Sequence, residues 1–103
     1  MSIHYIFYTD LPVEELNKHL RQIEETYSGF FKESFWIGEA IASNSERNQH
    51  LEELGINLVA TSWFAMQCNK FGSVKSWDTA IDLIRKSLEP NQVIVHDQWF
   101  NLV

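Results

Sequence analysis

Apolar and polar positions follow two rhythms along this chain, and the switches between them mark its elements. Near the start, Ile3, Tyr5 and Phe7 interleave with His4, Ile6 and Tyr8. Apolar groups fall on both sides of this period-two run, which predicts a strand with both faces at least partly covered. Thr9-Asp10-Leu11-Pro12 ends it. Asp or Thr can cap the amides of a following helix, Pro12 suits its first turn, and Glu14 and Glu15 favour its positive end. Val13, Leu16, Leu20, Ile23 and Tyr27 then recur at helical spacing, Glu14 and Lys18 form an i,i+4 pair on the wet side, and Ser28-Gly29 supplies a stop.

The period returns to two between Glu33 and Ala42, with Phe35, Ile37 and Ile41 on one side and Trp36, Gly38 and Ala40 on the other. This predicts a second strand whose small residues admit a close neighbour. Ser43-Asn44-Ser45 precedes a short, mostly exposed helix running to Leu54, with serine as its cap. Its end is better specified: Gly55 in the left-handed position would bring Ile56 against Leu51 across a Schellman turn. Ile56 to Gln67 is apolar on both parities and rich in β-branched and aromatic residues, the pattern of a central strand. Residues 68–73 turn the chain. Ser73 or Ser76 then caps a helix bearing Trp77, Ala80, Ile81, Ile84 and Leu88 on one face, and Pro90-Asn91 closes it. Val93, Ile94 and Val95 open a last strand, and Trp99, Phe100, Leu102 and Val103 keep the terminus apolar, tied into the sheet or into a partner.

Strand, helix, strand, short helix, strand, helix, strand is the order of a ferredoxin-like split βαβ sandwich. The expectation is therefore an α+β fold with a four-stranded, mainly antiparallel sheet, two main helices and a short helix inserted between strands 2 and 3. Such a sheet leaves one face bare. Apolar residues of both parities call for a cover, either the inserted helix in a mixed sheet or a second copy in a face-to-face homodimer. An irregular 33–42 segment would instead leave three strands. With 103 residues, 45% hydrophobic content, seven Phe, four Trp and three Tyr, the chain has enough for one core, so residues 1–103 are read as a single domain. The single cysteine, Cys68, excludes an intrachain disulfide and reads as a small filler at a strand end. Neither a signal-peptide pattern nor a membrane span is present, so the expected setting is cytoplasmic, away from membranes.

Charge narrows the function classes. The net charge is -6, and residues 1–53 carry ten acidic against four basic side chains, while residues 54–103 carry four of each. A surface of this sign repels nucleic acid and anionic lipid and attracts a basic protein partner. The acidic set is Glu24, Glu25, Glu39, Glu46, Glu52 and Glu53, together with Glu14 and Glu15. Two helices and a loop could bring several of these to one side, with Trp36, and behind it Trp63 and Trp99, as aromatic anchors.

Catalytic chemistry finds less support. His96-Asp97 is the most enzyme-like pair, but neighbours on a strand point to opposite faces and cannot act as base and orienter. No two histidines stand at i,i+4, no cysteine pair exists, and no glycine-rich phosphate loop is present, so neither a metal nor a cofactor is expected. The reading is a small acidic protein-binding domain rather than an enzyme: an inhibitor, an antidote of the immunity type, or an adaptor that occludes a basic site on a larger protein. The alternative is a small dimeric enzyme or small-molecule-binding domain, with a pocket between sheet and helices where His4, Tyr8 and His96 supply polar contacts.

Overall fold

The structure, a computed structural model, describes residues 4–29, 31, 35–68, 77–97, 99 and 101–103. Strand β1 (His4–Thr9) leads into helix α1 (Val13–Thr26), followed by β2 (Phe35–Ile37), β3 (Ile41–Ala42), α2 (Ser45–Glu53), β4 (Ser62–Cys68), α3 (Trp77–Leu88) and β5 (Val93–Asp97). The strands form one antiparallel sheet in the order β2-β4-β1-β5, and the short β3 pairs with the opposite end of β4 from β2. With β3 set aside, this is the order of the split βαβ plan. The fold is α+β as expected, with the insertion helix between the strands of the second pair.

Strand alternation sorts the side chains into two layers. Phe7, Phe64, Met66 and Val95 face α1 and α3 and pack with Leu16, Leu20, Ile23, Ala80, Ile81, Ile84 and Leu88 in the larger core. Phe7 lies opposite Phe64, and their rings stack at a centroid distance of 4.6 Å. On the other face Tyr8 packs with Leu51 of α2 and with Leu58 and Ala60, and Ile6, Ile56, Trp63 and Ile94 border this second cluster. The inserted helix thus covers the second face, although within an antiparallel sheet rather than a mixed one. It covers only the end where Tyr8, Trp63 and Ile94 lie. At the other end Trp36 and Gln67, which oppose each other, remain exposed.

Several local expectations are corrected. The 33–42 strand is broken: β2 ends at Ile37, and residues 38–40 bend before β3. The bend is held from α1, where Asn17 Oδ1 accepts the Ala40 amide at 2.9 Å and Arg21 donates to the Gly38 carbonyl at 3.2 Å. Ala40 consequently turns into the larger core. The central strand begins only at Ser62, because the amide of Asn48 on α2 takes hold of the segment before it, accepting from Ala60 N at 2.9 Å and donating to Ala60 O at 3.3 Å. Residues 56–60 serve as a cover over the second face. Pro12 is the N-cap of α1 and makes no side-chain cap bond, while Asp10 accepts from Asn91 Nδ2 at 3.0 Å. The helix ends at Thr26 with Tyr27 as its cap, ahead of Ser28-Gly29. Glu14 and Lys18 form no ion pair; among the described residues the ion pair is Arg21 with Glu24.

Asn44, not a serine, caps α2, accepting from the Arg47 amide at 2.9 Å. The other end matches expectation. Gly55 has φ +79°, Gly55 N donates to Glu52 O at 2.9 Å, and Ile56 N donates to Leu51 O at 3.0 Å, the double bond of a Schellman turn. The serine caps proposed for α3 and the turn after Cys68 lie outside the described residues. At the terminus, Leu102 bridges His96, and Val103 N donates to Val95 O at 3.0 Å, so the tail returns along the edge of β5.

Candidate functional site

The partly covered face carries the polar groups that merit attention. On β1 and β5 the residues of even parity point toward α2, and the register sets Ile6 against His96 and Tyr8 against Ile94, making Tyr8 and His96 diagonal neighbours. Both are buried, His96 to 2% exposure. The Tyr8 hydroxyl lies 3.1 Å from His96 Nε2, and His96 Nδ1 lies 2.8 Å from the carbonyl oxygen of Asp97. That carbonyl only accepts, so Nδ1 carries the proton and Nε2 accepts from Tyr8. From α2, Arg47 Nη1 donates to the Tyr8 hydroxyl at 3.4 Å, and its guanidinium lies 3.5 Å above the ring centre of Trp63. His50 meets His96 edge to face at 5.9 Å. Tyr8, Arg47, His50 and His96, with Ile6, Asn44 and Glu46, line a cleft of about 500 Å³ between α2 and the sheet.

The electrostatics keep the imidazole neutral. Burial is the largest influence and pushes the His96 pKa below its ordinary value; the Asp97 carbonyl bond opposes this, and His50 and Arg47 add to it. Asp97 points to the other face, as strand alternation requires. Its carboxylate accepts from Trp99 N at 2.8 Å and Asn101 N at 2.9 Å, and these bonds, that from Asn101 first, hold its pKa below the usual value. His96 and Asp97 therefore do not form a base-and-orienter pair. Of the alternative pocket, Tyr8 and His96 come together. His4 shares their face but stands four positions from Tyr8, about 13 Å along the strand, and does not line the cleft. Among the described residues no three His, Cys, Asp or Glu side chains gather as metal ligands.

The acidic residues do not share one side. Glu14, Glu15, Glu24 and Glu25 ride on α1, whereas Glu46, Glu52 and Glu53 ride on α2, across the sheet. Glu24 is engaged by Arg21. Glu39 is exposed in the bend between β2 and β3. Trp36 is 58% exposed on the α2 side of the sheet, and its indole lies over Gly38, where an added Cβ would stand 3.3 Å from the ring. The small residue just after β2 thus receives the protein's own tryptophan.

Comparison with known proteins bears on this arrangement. The sequence model of the CDI System Immunity Component family matches residues 1–101. The chain belongs to this family. A solved CdiA-CT/CdiI toxin and immunity complex from Burkholderia pseudomallei contains a chain of the same fold, with TM-score 0.80 and 16% identity over 97% of this immunity component and 95% of that chain. A sequence comparison with curated proteins finds no match. Of the functions expected from the sequence, the protein-binding inhibitor of the immunity type is the one this family match supports. No described helix is long and apolar enough to cross a membrane.

Sequence reasoning missed Arg47 and Asn48 in the immunity component. A signal for Arg47 was present, since it is the lone Lys or Arg in a helix that is otherwise acidic and polar apart from Leu51. Asn48 carried none, because its partner Ala60 is twelve residues away and offers only backbone.

Proposed function

We propose that this immunity component binds the toxin of its own CDI system and blocks it by occluding a basic site, using the α2 side of the sheet as its contact surface. The match to the immunity family across residues 1–101 carries the reading. The geometry supports the choice of surface. Exposed Glu46, Glu52 and Glu53 on α2 and Glu39 in the bend flank a face that is only half covered and presents Trp36 to solvent. Carboxylates speed the encounter with a basic partner, and a partly exposed aromatic beside them supplies the contact that slows dissociation. Glu24 and Glu25, on the opposite layer, add to the long-range field but not to the contact.

The test is to mix the purified protein with the toxin domain of the same system, measure complex formation by light scattering after size exclusion, and assay the toxin with and without it. A one-to-one complex that silences the toxin, and loses affinity on Trp36→Ala, is the expected result. A protein that neither binds nor protects would overturn the proposal, and a homodimer without affinity for the toxin would return weight to the face-to-face alternative.

A further inference from the structure

Arg47 is placed unlike an ordinary surface arginine. On a helix an arginine finds a carboxylate at three or four residues' distance, but those positions around Arg47 hold Ser43, Asn44, His50 and Leu51. No carboxylate of the described residues pairs with it. It is held instead by the face of Trp63 at 3.5 Å and by one bond to the Tyr8 hydroxyl at 3.4 Å. Both Arg47 and Trp63 are half-buried, so the guanidinium is fixed in orientation and partly withdrawn from water. With its central carbon held over an aromatic ring, a guanidinium keeps N–H groups available at its edge, and its planar fork can receive a carboxylate in two parallel bonds. Among the described residues those other side-chain N–H groups have no protein acceptor, and they border the cleft of about 500 Å³. Of the remaining walls, His96 already accepts from Tyr8 and donates to the Asp97 carbonyl, Ile6 is apolar, and Glu46, the carboxylate in the lining, makes no ion pair with Arg47.

We propose that Arg47 receives a carboxylate side chain of the bound partner, inserted into the cleft between α2 and the sheet, and that the partner surface is an acidic side chain set within basic ones. This rests on the toxin-binding reading above and specifies the chemistry of the partner. A free small anion fits less well, because the chain carries a net charge of -6 and Glu46 stands at the cleft. On a basic protein surface, by contrast, the surrounding cations are drawn to Glu46, Glu52 and Glu53 while the carboxylate between them meets Arg47. The acidic rim and the single central cation then select for the same partner pattern.

The experiment compares wild-type protein, Arg47→Gln and Arg47→Lys for affinity toward the toxin domain, with circular dichroism and thermal melting confirming that each variant is folded. A charge-assisted, two-bonded contact predicts a loss of about 10- to 100-fold for Arg47→Gln. Arg47→Lys, which keeps a cation over Trp63 without the planar fork, should lose less. In a second arm, acetate and inorganic phosphate are titrated into the free protein while the imidazole resonances of His50 and His96 are followed by NMR. Saturation by either ion well below 1 mM would replace the partner carboxylate with a small-anion site and overturn the proposal. Unchanged toxin affinity in folded Arg47→Gln would also overturn it while leaving the toxin-binding reading intact, and absence of binding by wild-type protein would remove both.

Discussion

The Tyr8 hydroxyl and His96 Nε2 lie 3.1 Å apart, joining β1 to β5 on the face beneath α2. The direction of this bond fixes the imidazole as an acceptor, so a proton arriving at Nε2 would leave the Tyr8 hydroxyl hydrogen without its acceptor, while its oxygen already receives a bond from Arg47.

The pH dependence of stability follows. An unfolded histidine titrates near pH 6.5, and burial puts the folded His96 below that value. Above pH 6.5 both states are neutral and His96 contributes no slope. As the pH falls through about 6.5 the unfolded chain takes up the proton first, so stability declines until the folded imidazole also titrates. Urea midpoints measured from pH 7.5 to 5.5 should fall for the wild type and flatten for His96→Gln. A wild-type curve already flat over this window would contradict the buried neutral imidazole.

Asn48 joins α2 to the 56–60 segment through both polar groups of Ala60. Asn48→Ala leaves a backbone N–H and C=O of a buried residue without their partners, a loss of about 1–3 kcal/mol. Hydrogen exchange at the Ala60 amide should accelerate together with the fall in stability. Asn48→Asp, which keeps an acceptor for the N–H and loses the donor, should retain more of the protection. Equal exchange in all three proteins would show that the clamp is not what holds this segment.

Features written in adjacent residues were legible in the sequence, and features made by distant pairs were not. The Schellman turn could be read because Leu51, Gly55 and Ile56 encode it within six positions. The split βαβ order could be read because strand alternation and helical spacing are local, whereas the meeting of Tyr8 and His96, 88 residues apart, depends on the β1–β5 register. The bend at residues 38–40 escaped, because Asn17 and Arg21 on α1 impose it from far along the chain. The late start of β4 escaped for a similar reason: a run of β-branched residues suits an extended cover as well as a strand, and only Asn48 decides between them. Three consecutive residues, Ser43, Asn44 and Ser45, are all capable caps, so composition alone could not choose Asn44. Arg47 acquires its geometry only when α2 docks over Trp63.

Gly55 and Gly38 should respond to alanine for different reasons. At Gly55 an added Cβ meets nothing within 4 Å, but φ is +79°, so Gly55→Ala carries only the left-handed backbone cost of about 1–2 kcal/mol. Gly55→Asn should recover part of it. At Gly38 the backbone is not in that region, and the Cβ instead meets the Ala65 carbonyl and the Trp36 ring, each at 3.3 Å. Gly38→Ala should therefore move the Trp36 indole, seen as a shift in its fluorescence or its indole N–H resonance. An unchanged Trp36 signal would mean that the ring does not rest on Gly38.

The two layers of acidic residues offer a direct test of which face meets the partner. Glu52→Lys and Glu53→Lys alter α2, while Glu14→Lys and Glu25→Lys alter α1 across the sheet; each double variant changes the net charge by the same amount. If association depended on net charge alone, both would slow it equally. Because screening limits exposed charges to about 8 Å at physiological ionic strength, carboxylates on the contact side should matter more. The α2 double variant should lower the association rate constant with the toxin several-fold at low salt, the α1 double variant less, and the difference should shrink as salt rises. Stopped-flow measurements over a salt series read this out. A larger effect from the α1 variant would move the contact surface to the helices of the main core, and equal effects would reduce the acidic groups to a uniform field.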